Sequence, residues 1–445
     1  MIAALAARRG GESVWIDDAR ERSWAEFGAA VADAHAQCVA AGVRVGEVVV
    51  TPGETSFEAL VWLFGAAAAG AVVAPLRPAR AAETAGWRDS VAVAWQVRGG
   101  LVRAGGGINS RQSEQLFADL RTRAHPGLVL ATGGTTGTPK LLLHDLAALL
   151  ATVPVKVGRG QRTLPLMRFD HIGGLDMAWR ALAGGQILVA PPAEISPETV
   201  ARTIARHRVE VLPATPSFLN MMHVAGVARA PDLRSLRVVP YGAEPMPPGL
   251  LARLRTAWPQ VNFVQRYGTS ETGALPVRAA GDGLELVAGA AGYDWKIIDG
   301  ELWVQSPGRA LGYLSGDSDG LSTAGWFRTG DLAEQAADGV VRVLGRRSDL
   351  INVGGEKVRP DAVEAVLSAH PDIADCRVFA VPNALLGQVV GVEVVWRGPD
   401  RDSVAVKRIL HEWTAALPNC HRPAVVRLVP ATYTGANFKK MRSIV

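Results

Sequence analysis

The stretch "LATGGTTGTPK", residues 130–140, combines small, hydroxylated and cationic residues at close spacing. Thr132, Thr135, Thr136 and Thr138 offer hydroxyl donors. Gly133, Gly134 and Gly137 let the backbone approach an anion closely, and Lys140 supplies a counter-charge. This is chemistry for gripping phosphate. It is not the P-loop signature, because Thr138 and Pro139 separate Gly137 from Lys140 and leucine follows. A plain glycine-rich turn after the strand "GLVLA" is the competing reading.

Three further loops carry charge after apolar strands. "RYGTSETG" (266–273) places Glu271 among glycine and hydroxyls, where a carboxylate can hold Mg²⁺ facing a phosphate. "WFRTGDLAEQ" (326–335) presents Asp331, a partner for ribose hydroxyls. "LGRRSDLINVGGEKV" (344–358) brings Arg346. Each alone reads more readily as a solvated loop charge. "PLMRFDHIGGLDMAWRALAGG" (165–185) adds His171, which when neutral can hydrogen-bond a carboxylate oxygen and otherwise serves to open a helix.

The four loops in this order resemble the adenylate-forming superfamily of acyl- and aryl-CoA synthetases, peptide-synthetase adenylation domains and luciferases. The resemblance covers nearly the whole chain. It includes "GAEP" (Gly242, Ala243, Glu244, Pro245), similar to the family's adenine-side loop, and "GELWVQSPGRALGYL" (300–314). It implies ATP and Mg²⁺ as cofactors. The opening loop would hold the β- and γ-phosphates and Glu271 the metal. Tyr267, with Gly268 and Thr269 beside it, would lie near adenine, and Asp331 and Arg346 would reach ribose. The implied reaction is a carboxylic acid plus ATP giving an acyl-adenylate and pyrophosphate, followed by transfer to coenzyme A or a phosphopantetheine arm on a carrier protein. Gly354 and Gly355 match the loop that lines the family's thiol tunnel.

The family's closing Pro-x-Thr-x-x-Gly-Lys is altered. In "PATYTGANFKKMR" (430–442), alignment on Gly435 puts Ala436 at the lysine's place. The chain has only seven lysines against forty arginines, so the pair Lys439 and Lys440 stands out as the replacement, Lys439 first. "NFKKMRS" resembles a functionally unassigned branch of the superfamily. The altered tail also keeps two rival readings open. One is activation of an unusual oxyanion such as nitrite, and the other is a nucleotide-binding homologue without catalysis.

Those residues need a scaffold. Helix signals alternate with short apolar strands through the first two-thirds of the chain, which predicts an α/β domain of stacked, mostly parallel sheets with covering helices. Ligands in such folds sit at the carboxyl ends of strands. Ser196 and Pro197 should open one helix. Thr55 and Glu58 should form a capping box for another, ending at Gly70. "VEVLPAT" and "LRVVPY" read as strands. Past residue 345 the pattern becomes a compact α+β unit. The expected domains are 1–345 and 349–445, with a hinge at 346–348 about which the small domain rotates.

Composition narrows the partners. With 445 residues and 20% charged, the net charge is only +5, without a basic stripe, so a nucleic-acid surface is not expected. Cys38, Cys376 and Cys420 are far apart and form no CxxC pair, arguing for a reducing, cytoplasmic setting without a zinc site or disulfide frame. No signal peptide is read at the start, and "ALVWLFGAAAAGAVVAPL" (59–76) is expected to divide into helix and buried strand and not to cross a membrane. The expected assembly is a monomer or homodimer. The substrate pocket is expected near 168–179, 214–221, 241–243 and 264–267, with Arg168, Asp170, Phe218, Asn220, Met221, Tyr241 and Gln265. That mix suits a small aryl or functionalised acid.

Overall fold

A computed structural model describes residues 2–77, 91–104, 111–132, 140–155, 158, 160–227, 233–247, 249–280, 283–286, 292–315, 325–336, 339–399 and 402–432. Four larger sheets organise it.

The first has seven strands. Its centre is parallel: Gly127–Thr132, Val72–Leu76, Val48–Pro52 and Val93–Val97 lie side by side. Antiparallel strands flank that centre, Lys140–Asp145 and Gly312–Tyr313 on one side and Leu101–Arg103 on the other. Three of these strands, Gly127–Thr132, Val72–Leu76 and Val48–Pro52, are Val-, Leu- and Ala-rich and buried on both faces, as parallel sheets covered by helices require, whereas Val93–Val97 is half-buried apart from Trp95. Helices Trp24–Ala41 and Phe57–Ala68 cover one face through Trp24, Phe27, Trp62 and Phe64. The apolar stretch 59–76 thus divides into a helix and the strand Val72–Leu76, with Gly70 (φ +77°) at the turn. Among the described residues no helix is long and apolar enough to cross a membrane.

The helix Phe57–Ala68 starts one residue later than the capping box required. Ser56 is its N-cap and accepts from the Ala59 N–H at 3.1 Å. Thr55 instead donates its hydroxyl to the Met167 carbonyl at 3.2 Å, a partner 112 residues away that local pattern cannot reveal. The helix Pro197–His207 has Ser196 as its cap and proline in its first turn, as expected.

The second sheet runs Glu21–Ser23, Ser13–Ile16, Ile187–Val189, Arg162–Thr163. Isolated parallel bridges at Val211 then lead to the parallel pair Val238–Tyr241 and Asn262–Gln265. "VEVLPAT" therefore contributes bridges at Val211 and Ala214 and not the expected strand, since Pro213 has no N–H to give a ladder. The core here gathers Leu164, Phe218, Tyr241 and Trp258.

The third sheet departs from the parallel expectation. Its six strands, in order Val277–Ala280, Gly283–Leu286, Val341–Arg346, Phe327–Gln335, Glu301–Gln305 and Asp294–Ile298, are all antiparallel. Asp299 and Gly300 join the last two with φ of +50° and +71°, the two-residue Asp-Gly turn whose twist matches antiparallel strands.

After Val341–Arg346 comes a single 3₁₀ turn, Arg347–Asp349, and then the fourth sheet. It pairs Glu356–Val358, Ile351–Val353, Gly387–Trp396 and Ile373–Asn383, with Val425–Leu428 added in parallel. Helices Pro360–Ser368 and Ser403–Trp413 pack on it around Val363, Leu367, Val406 and Leu410. This unit touches the rest of the chain through side chains. Asn220 Nδ2 donates to Ala374 O and Arg253 Nη1 to Ser368 O, both at 3.4 Å, and Arg397 donates to Val224 O.

Candidate active site

Two carboxylates in the large part of the chain are each held by a tyrosine. Asp331 stands in Phe327–Gln335 directly across from Arg346 in the neighbouring strand. Arg346 Nε lies 2.8 Å from Asp331 Oδ1, and the Tyr267 hydroxyl donates to Oδ2 at 2.6 Å. Burial pushes the Asp331 carboxyl up, while Arg346 and the Tyr267 hydroxyl pull it back towards the ionised form. Burial and the Asp331 charge together push the Tyr267 hydroxyl far up, so it remains a donor. The loop under Asp331 is built by Glu301, which is 2% exposed. Glu301 takes Arg328 in a bidentate pair (Nη2 to Oε2, 2.7 Å) and accepts from the Gly330 N–H at 3.1 Å.

Glu271 lies in the turn between Gly268–Thr269 and Gly273–Ala274. Thr269 and Thr272 tie that turn, hydroxyl to hydroxyl at 3.2 Å, and the Glu271 N–H donates to Thr269 Oγ1 at 3.2 Å. Its side chain accepts from the Tyr313 hydroxyl at 2.7 Å. The Lys140 ammonium stands 5.4 Å from the centre of the same tyrosine ring. Burial, then the Glu271 charge, push the Tyr313 hydroxyl well up, so it too stays a donor. Glu271 also acts electrostatically on both Asp331 and Arg346. Thus Lys140, Tyr313, Glu271, Arg346, Asp331 and Tyr267 form one linked group.

His144 underlies it. It is fully buried, with Nε2 2.8 Å from the Ser270 carbonyl, the residue before Glu271. Burial pushes its pKa down to about 4, against the Ser270 carbonyl and the Glu271 charge, so it is neutral and donates from Nε2. Neither His144 nor Tyr313 stood out in the sequence. In sequence "GRALGYL" is no more than part of the segment 300–314 that resembles the family, and a histidine in a leucine run carries no local signal.

The other expected residues fall as follows. Thr132 and Lys140 are direct cross-strand partners, and the Thr132 hydroxyl donates to Lys140 O at 3.3 Å. Between them, Gly133, Gly134, Thr135, Thr136, Gly137 and Thr138 lie outside the described residues, as do Lys439 and Lys440. Gly242 passes so close to the next strand that a β-carbon there would stand 2.6 Å from the Arg266 carbonyl oxygen. Ala243 follows at φ +70°. Glu244 Oε1 accepts from the Ser217 N–H at 2.6 Å, at the amino end of the helix Pro216–Val224. Ala243, Glu244, Pro245, Tyr267, Gly268, Asp331 and Arg346 line one cavity of about 400 Å³, which Arg359, Asp361 and Glu364 close from the C-terminal unit. His171 is not among the lining residues. It caps the helix Ile172–Ala183 and has Nε2 3.5 Å from Asp170 Oδ1. Of the expected acid-pocket residues, Phe218 and Tyr241 are core, and Asn220 turns to Ala374.

A metal ion would find at most two protein ligands of the His, Cys, Asp or Glu type here, since no cluster of three exists among the described residues. That suits Mg²⁺, which takes one or two protein carboxylates and completes its octahedron with phosphate oxygens and water. It does not suit zinc, whose structural sites need four protein ligands. The three cysteines are free.

Fold and site together define a class: a large α/β part and a small α+β part meeting over a cavity walled by charged side chains from both. The chain belongs to the AMP-binding enzymes, the adenylate-forming superfamily. Residues 118–314 match the AMP-binding enzyme family and residues 362–439 its C-terminal domain, together more than half of the chain. It is 30% identical over 309 residues to 4-coumarate–CoA ligase-like 2 of Arabidopsis thaliana, covering 63% of this chain and 54% of that protein. It is 30% identical over 340 residues to the pyochelin synthase PchD of Pseudomonas aeruginosa, covering 67% and 59%. The chain therefore spans little more than half the length of the curated relatives it matches. Its fold matches that of the anthranilate CoA ligase AuaEII in complex with anthranoyl-AMP with a TM-score of 0.80 at 19% identity, over 99% of this chain and 95% of that one.

Proposed function

We propose that this protein activates a small carboxylic acid with ATP, releasing pyrophosphate and forming an acyl-adenylate, then passes the acyl group to a thiol. The observation that carries this reading is the linked group itself. A ribose-type carboxylate, Asp331, and a phosphate-side carboxylate, Glu271, are each oriented by a tyrosine donor, with Arg346 and Lys140 as counter-charges.

In this reading Asp331 accepts from ribose hydroxyls while Tyr267 and Arg346 hold it still. The turn Gly242–Pro245 borders the base. Thr132 and Lys140, with the glycines and threonines between them in sequence, have the role of binding the β- and γ-phosphates. Bound Mg²⁺ at Glu271 would neutralise phosphate charge. The substrate carboxylate attacks the α-phosphorus, a bond forms to its oxygen and the bond to pyrophosphate breaks. Little covalent work falls to the protein, and the gain comes from alignment and charge neutralisation.

The residues 346–348 are proposed as the hinge between the two units, and Lys439, or else Lys440, as the mobile cation of the first step. The C-terminal family match runs through residue 439, which supports including that tail. The thiol is coenzyme A or a carrier-bound phosphopantetheine, with Gly354 and Gly355 at its entrance. The relative named as CoA ligase-like supports coenzyme A as the acceptor. The test is pyrophosphate release across a panel of acids, with and without coenzyme A. Release with nitrite and not with any carboxylic acid would move the reading to an oxyanion-activating enzyme. No release with any of them, with ATP bound, would make it a nucleotide-binding homologue.

A further inference from the structure

Charge around the start of the helix Ile172–Ala183 does not balance. Asp170 is 2% exposed and held by Arg77, Nε to Oδ2 at 2.6 Å. Asp176, in the helix Ile172–Ala183, is held by Arg180, Nε to Oδ2 at 2.8 Å. Each buried acid has its own arginine. Arg266 is a further cation in the same neighbourhood, and Arg180 and Asp176 are the charges that act on it. Its Nε is buried without a hydrogen-bond partner. It has no ion pair among the described residues.

The Arg266 backbone is pinned beside Tyr241 and Gly242. Its N–H donates to Tyr241 O at 2.7 Å, and its carbonyl lies against Gly242, where even a β-carbon would collide at 2.6 Å. It precedes Tyr267 directly and lines the same cavity as Tyr267 and Asp331. A partly desolvated guanidinium left over at a cavity wall is unfavourable until an anion pairs with it. Its planar donor fork fits a carboxylate in two-point fashion. That carboxylate is not the reacting one, whose oxygen lone pairs must be free to attack phosphorus. Nor is it a phosphate beside Glu271 and Lys140, neither of which lines the cavity that Arg266 lines.

We propose that Arg266 is a specificity residue that pairs with a second anionic group on the acid, so that the substrate class is a small diacid or a comparably dianionic acid. This rests on the adenylation reading for its chemistry, though not for binding.

The test uses the full chain and two matched pairs, adipate against hexanoate and isophthalate against benzoate. ATP–pyrophosphate exchange and calorimetric binding without ATP are measured for each. The native protein should favour at least one diacid over its monoacid by on the order of 10²-fold in kcat/KM, as expected of a site built to pair a polar group. Arg266→Gln should collapse that ratio towards one, mainly through the diacid KM, and Arg266→Lys should keep part of it. An adventitious preference that survives in Arg266→Gln would overturn the proposal. So would equal losses for monoacid and diacid, which would give Arg266 a structural or nucleotide role. So would no diacid preference in native exchange or binding. If no acid supports exchange but diacid binding is lost in Arg266→Gln at an unchanged melting temperature, the adenylation reading falls and the anion site stands.

Discussion

Asp331 and Arg346 face each other across neighbouring antiparallel strands, with Nε 2.8 Å from Oδ1. The pair joins the cavity floor to the last strand before the chain enters its C-terminal unit. A nucleotide that engages Asp331 therefore also acts on the segment where the two units connect.

If Asp331 binds ribose as proposed, replacing it with Ala should raise the ATP KM by on the order of 10-fold and change kcat less, because the lost hydrogen bonds lie away from the reacting phosphorus. Arg346 loses its partner but keeps solvent, its side chain being 54% exposed, so the fold should survive. An unchanged ATP KM in pyrophosphate exchange would place the ribose elsewhere.

Glu271→Gln isolates charge from shape. The amide oxygen can still accept from the Tyr313 hydroxyl, so the turn keeps its 2.7 Å contact while losing the negative charge. Adenylation should drop by at least about 100-fold with the circular-dichroism spectrum unchanged. Tyr313→Phe, which leaves the charge and removes only its orientation, should cost roughly 10-fold or less. Native exchange rates in Glu271→Gln would remove the metal role.

The tail is tested by separating half-reactions. If Lys439 neutralises charge around the α-phosphate, Lys439→Ala should lose on the order of 10²-fold in adenylation and spare thioester formation from pre-made adenylate. Lys440→Ala should change little. A selective loss in Lys440→Ala alone would move the role by one residue. Equal small effects on both half-reactions in both variants and the double would leave a solvated basic end.

His144 gives a pH signature. Its pKa, about 4 in the folded chain against 6.5 for the free side chain, means the unfolded chain binds the extra proton first as pH falls. The stability it contributes is complete above about pH 6.5 and is lost as pH falls from there through about 4, a change of about 3 kcal/mol for a wholly buried group. The urea midpoint of the native protein should therefore fall more steeply between pH 7 and 4 than that of His144→Gln. Parallel curves would show that His144 is not the group responsible.

Much of this was legible in order along the chain. The helices, strands and succession of C-terminal elements follow from short-range signals: caps such as Ser196 with Pro197, and hydrophobic periodicity. Such signals act within a few residues, and so they survive reading in one dimension. The roles given to the glycine-rich loop, Glu271, Asp331 and Arg346 come instead from the order of the four loops, which resembles that of the adenylate-forming superfamily.

What the tertiary structure alone decided is which of those residues meet. The hydroxyl of Tyr313 reaches Glu271 from 42 positions away, and His144 finds the Ser270 carbonyl across 126. Thr55 abandons a cap for Met167, and the third sheet runs antiparallel although the Asp299–Gly300 turn that directs it was present to be read. Arg266 looks like any loop arginine until Asp170 and Asp176 are seen to be matched by Arg77 and Arg180. The reason is physical. A strand's register is set by burying whole faces at once, and a slip of one residue turns every side chain over. Which donor meets which carboxylate is therefore fixed by packing of the complete fold, while the residue types that make the chemistry available are fixed by the sequence.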